Sequence, residues 1–116
     1  MNPTTHESRR ATPGWYFMRL SGLLLLALAG FHLFYQHFGA PGGVAQITYA
    51  TVVARWTDPI GGVLWRTVDM ALLLLGLTHG AAGAFNALGQ RAALKALLGV
   101  GYLALVGLGA TIIFSF

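Results

Sequence analysis

The sequence predicts an all-α integral membrane protein: three transmembrane helices, with a short interfacial helix in the outer loop. Three observations lead there. The 116 residues are 56% hydrophobic and only 9% charged, with a mean hydropathy of +0.67, where a soluble domain carries about 25% charged residues. The apolar residues gather into three runs, each long enough to cross the hydrocarbon core as a helix. His79 lies within the uncharged stretch from Met70 to Leu88, and an ionisable side chain at that depth faces a protein interior or a pathway rather than lipid.

Residues 1–14 are polar and are expected to form a cytoplasmic tail, its first eleven or so residues disordered before docking. No small-residue cleavage site follows in the frame a signal peptide would need. The rest, residues 15–116, is one membrane anchor domain. Its first span runs from about Trp15 to Phe38, at residues 15–38. Along it, Ser21, Leu25, Leu28, His32 and Gln36 recur at helical spacing, which places His32 on an inward stripe and His37 one position around, toward the interface.

A breaker cluster, Gly39-Ala40-Pro41-Gly42-Gly43, ends that span. The mostly apolar stretch from Val44 to Trp56, with Tyr49 and Trp56 suited to the interface, reads as a helix lying on the membrane surface. It stops at Thr57-Asp58-Pro59. The second span covers residues 62–88. Gly76, His79, Gly80, Gly83 and Asn86 share one of its faces, opposite Leu74, Leu77 and Phe85. Small and polar residues on one side are how a membrane helix packs on other helices. The third span, residues 96–116, carries no charge, and Gly99, Gly101, Gly107 and Gly109 are expected to let it pack closely as scaffolding.

Charge orients the spans. Arg9, Arg10 and Arg19 lie at the first end, and Arg91 and Lys95 lie in the turn between the second and third spans. The loop between the first two spans carries Arg55, with Arg66 at the start of the second span and Asp58 and Asp69 nearby. The positive-inside rule puts the N-terminus in the cytoplasm and the long loop and Phe116 outside, as in a bacterial-type inner membrane. The arginines need no role beyond topology. With no cysteine there is no disulfide, no iron–sulfur ligation and no thiol chemistry. The net charge of +4 sits beside the apolar runs and is no nucleic-acid signature.

An intramembrane histidine can be helix–helix glue, a proton relay or a haem ligand. A relay needs carboxylates at similar depth, and Asp69, at the mouth of the second span, is about 15 Å from His79 along the helix. Haem ligation needs a neutral ring with small neighbours, which Gly76, Gly80 and Gly83 supply. Two spans carry inward polar groups with no carboxylate of the same chain expected to meet them, which points to a partner subunit completing the site.

Several segments in order carry a family likeness: Trp15-Tyr16-Phe17-Met18-Arg19-Leu20-Ser21-Gly22 with Phe31-His32-Leu33-Phe34; Ala54-Arg55-Trp56 with Pro59; and Trp65 to Asp69 with His79-Gly80 and Gly83. Over Trp15 to Asn86 the chain resembles the D-type hydrophobic membrane anchor of succinate dehydrogenase (succinate:quinone oxidoreductase, respiratory complex II). The C-type anchor usually adds a second histidine after the one matching His79, absent here.

The resemblance implies a non-catalytic subunit of the respiratory chain and tricarboxylic acid cycle. It docks a flavoprotein subunit, which oxidises succinate, and an iron–sulfur subunit, and it forms a quinone pocket with a C-type anchor subunit. His79 matches the ligand to haem b shared with that subunit, and His32 matches a first-span ligand to a second haem in two-haem relatives. The family's Asp-Tyr pair, eleven and twelve residues after the histidine, is here Gln90 and Arg91. Arg91, with Arg19, Ser21 and Trp15 at the same membrane level, is then a candidate for the quinone contact. The other readings are a haem-free anchor of the same complex, and a small transporter or assembly protein.

Overall fold

The computed structural model describes residues 12–116. The elements are α1 (Pro13–Phe34), α2 (Tyr49–Thr57), α3 (Gly62–Ala87) and α4 (Ala92–Phe114), and no strand occurs among the described residues. The helices α1, α3 and α4 are long and apolar enough to cross a membrane, α1 being extended by a π-turn to Gly39. Most of the polar tail, with His6, Arg9 and Arg10, lies outside the described residues. The first span starts at Pro13, two residues before the expected start. Thr12 caps it by accepting from the Trp15 N–H at 3.2 Å, and Pro13 takes the first turn, where no N–H is needed.

Helix α3 is central and packs against α1 on one side and α4 on the other. Little is buried within the chain. Leu26 is 73% exposed and Leu103 is 68% exposed. This apolar exterior is a surface for lipid or for other membrane subunits. The inward stripe of α1 is borne out. Ser21 and Gln36 are buried and Leu25, Leu28 and His32 half-buried, while Leu23, Leu24 and Leu26 between them are exposed.

Three expectations need correction. The surface helix expected from Val44 to Trp56 is split. A single 3-10 turn, Gly43–Gln46, precedes α2, whose start is fixed at Tyr49 by a capping box between Thr48 and Thr51. Gly42 and Gly43 take left-handed φ values of 88° and 57° to make the break. The glycine face of α3 is also divided. A Cβ on Gly76 would lie 3.9 Å from Leu25 and one on Gly83 3.4 Å from Met18, both on α1, whereas Gly80 has nothing within 4 Å. Of the four glycines of α4, only Gly109 is in close approach, where a Cβ would come within 2.6 Å of Leu73.

The end of the bundle that carries α2 is tied by side chains. Arg66, at the start of α3, donates to the Trp56 carbonyl at 3.0 Å, to that of Ile113 at 2.5 Å and to that of Phe116. It thus satisfies carbonyls left open at the end of α4, a structural role beyond topology. Gly62 makes the corner between α2 and α3, and a Cβ there would meet the Trp56 carbonyl at 2.5 Å.

Candidate functional site: two histidines between α1 and α3

His79 sits about two-thirds of the way along α3, half-buried against α1. Its Nδ1 is 2.7 Å from Ser21 Oγ, and Ser21 is only 3% exposed. The same hydroxyl donates to the Met18 carbonyl at 3.3 Å. Gly22, next on α1, makes room for the ring, since a Cβ there would be 3.3 Å from His79 Cε1 and 3.9 Å from Nε2. Nε2 has no hydrogen-bond partner among the described residues. The imidazole is therefore held by one nitrogen, with the other available.

His32 has different surroundings. Its Nε2 is 3.6 Å from Asp69 Oδ1 and 3.5 Å from the Gln36 side-chain amide. The other Asp69 oxygen accepts from Trp56 Nε1 at 2.6 Å. Gln36 in turn meets Gln46 at 2.7 Å. With its amide oxygen turned to Arg55, it accepts from that guanidinium at 2.5 and 3.1 Å. Arg55 lies 5.1 Å from the centre of the Trp65 ring. The expectation that no carboxylate of the chain meets the inward polar residues is overturned here. Asp69, at the mouth of α3, is level with His32 because α1 and α3 run antiparallel, and it tethers α2 to the other two helices. His37 is exposed, with Nδ1 2.9 Å from the Leu33 carbonyl.

At the other end, the quinone candidates separate. The Arg19 guanidinium lies over the Trp15 ring at 4.2 Å. Both line a cleft of about 560 Å³ with Thr12, Gly14, Met18 and Asn86. Ser21 is turned to His79 instead, and Arg91 is exposed ahead of α4, outside that cleft. Asn86 joins Arg19 and Trp15 as a polar lining residue that sequence reasoning had placed only on the histidine face. Sequence reasoning also missed the contact between Thr78 and Tyr102, whose hydroxyls are 2.7 Å apart and join α3 to α4. Tyr102 is the sole tyrosine of the third span, which was a usable signal.

Among the described residues no three His, Cys, Asp or Glu side chains gather as a metal site. A haem iron asks less of one chain: a single imidazole nitrogen and flat, small-residue surroundings. His79, with Nε2 beside Gly22, fits that demand. His32 fits it less well, because its Nε2 faces Asp69 and Gln36 and would have to turn away from both. Compared with known families, residues 4–85 match the succinate dehydrogenase/fumarate reductase transmembrane subunits. No curated protein matches the chain.

Proposed function

The chain belongs to the succinate dehydrogenase/fumarate reductase transmembrane subunit family, and from that footing we propose that it is the D-type anchor of a succinate:quinone oxidoreductase. It is a multi-pass membrane protein that works with the other subunits of such an enzyme. In this reading it docks an iron–sulfur subunit and a flavoprotein at the cytoplasmic face of an inner membrane, pairs with a C-type anchor, and leaves Phe116 outside.

The observation that carries the cofactor assignment is the His79 geometry: Nδ1 held by Ser21 at 2.7 Å and Nε2 left open beside Gly22. His79 supplies one ligand to haem b, and a histidine of the C-type subunit supplies the other. Haem b, when bound, would supply a one-electron carrier to the complex. The chain's own part is to orient the ring and keep water from it. At the cytoplasmic end, Arg19 and Asn86 have N–H groups that can donate to a quinone carbonyl, with Trp15 as an apolar wall. Arg19 and Asn86 thus take the place of the phenol that Gln90 and Arg91 do not provide.

The reading of a haem-free anchor is favoured by one observation, that the Ser21–His79 contact is also how polar side chains glue membrane helices. Tagging this chain and isolating the intact complex separates the two. Co-elution of a flavoprotein and an iron–sulfur subunit is expected, together with a b-type α-band in the reduced spectrum that is lost or shifted in His79→Ala. Absence of the flavoprotein would end the anchor reading. A band unchanged by His79→Ala would end the haem assignment.

A further inference from the structure

Ser21 is among the few buried polar side chains of the described residues, at 3% exposed, and it is committed on two sides. A serine hydroxyl has one proton and two lone pairs. With that proton on the Met18 carbonyl at 3.3 Å, Oγ can only accept from His79 at 2.7 Å. In that arrangement the ring proton sits on Nδ1 and the Nε2 lone pair is free. Without an acceptor at Nδ1, either tautomer is open to the ring, and the one with the proton on Nε2 cannot ligate a metal.

We propose that Ser21 is the positioning residue for His79, setting its tautomer and ring orientation for haem ligation, with Gly22 clearing the space for the ring edge. The proposal rests on the reading of His79 as a haem ligand. A ligating histidine commonly donates its second N–H to a neighbouring acceptor, which makes the ligating nitrogen a better electron donor. A better donor stabilises the oxidised iron more than the reduced iron. Loss of the acceptor therefore weakens haem retention and raises the midpoint potential, whereas a role in helix packing alone changes neither.

The test uses the intact complex carrying Ser21→Ala, Ser21→Thr or His79→Ala, with haem content and the haem midpoint potential measured by redox titration of the visible spectrum. Ser21→Ala is expected to assemble, to hold haem ~10-fold more weakly, and to titrate at a higher potential than the parent. Ser21→Thr keeps the hydroxyl and is expected to return both values toward the parent. A Ser21→Ala complex with parental haem content and potential would overturn the positioning role while leaving the ligand assignment intact, provided His79→Ala loses its haem signal. A His79→Ala spectrum identical to the parent would overturn both. If Ser21→Ala does not assemble, Ser21→Cys, with sulfur as a weak acceptor, is read in its place: a raised potential supports the role and a parental one overturns it.

Discussion

The two inward histidines occupy the same α1–α3 interface, separated by about 15 Å along α3 from Asp69 to His79, yet their partners differ. His79 meets a hydroxyl at Nδ1, and its Nε2 is unengaged. His32 meets a carboxylate and an amide at Nε2, and that carboxylate also holds the Trp56 indole of the short helix α2. One imidazole is presented and the other is tied in. The partner on the facing helix, rather than the histidine or its depth, decides which nitrogen is available.

Substituting each histidine in turn breaks the comparison most sharply. His79→Ala is expected to remove or shift the haem b signal of the complex, and His32→Ala to leave it at parental intensity, both read from the reduced-minus-oxidised spectrum. A haem lost with His32→Ala would show that the ring turns away from Asp69 in the assembled enzyme.

Asp69→Ala sharpens the His32 half of the comparison. It strips the Trp56 N–H of its acceptor and His32 of its neighbour, at a cost of about 2 kcal/mol for a partly buried bond to a charged group. Chaotrope-induced dissociation of the detergent-purified complex would report that loss, with haem content unchanged. A smaller effect is expected at Gly22→Ala, where the new methyl must displace the His79 ring by a few tenths of an ångström. Overpacking of that kind costs about 1 kcal/mol and should lower haem occupancy slightly. Gly30→Ala, which has open space around it, is the control and should match the parent. The smallest effect belongs to Tyr102→Phe. It loses the 2.7 Å contact to Thr78, and such bonds between membrane helices average about 0.6 kcal/mol.

The spans were legible because an apolar run of bilayer length and a period of 3.6 leave direct traces in a sequence. Ser21, Leu25, Leu28, His32 and Gln36 were read as one inward stripe from spacing alone, and the structure places them there. Spacing could not show that Gly80 and Gly83 part company, since two positions on one helix face can look toward different neighbours once α1 and α4 pack on opposite sides of α3. Asp69 escaped notice for a related reason. Along its own helix it lies about 15 Å from His79, while its level on the antiparallel helix is that of His32. Arg66 read as a topology charge because its acceptors are backbone carbonyls, two of them 47 and 50 residues away, and carbonyls have no signature in a sequence. The candidate quinone residues shared a membrane level, as spacing implied, but level does not set direction. Ser21 points at His79, while Trp15 and Arg19 face the cleft.

The most direct measurement is a cryo-electron microscopy map of the intact complex at a resolution that separates ring nitrogens from their neighbours. The account predicts iron density on His79 Nε2, with Ser21 Oγ within hydrogen-bonding distance of Nδ1, and His32 still beside Asp69. Iron on His32, or a His79 Nε2 packed against protein or lipid with no haem, would contradict it.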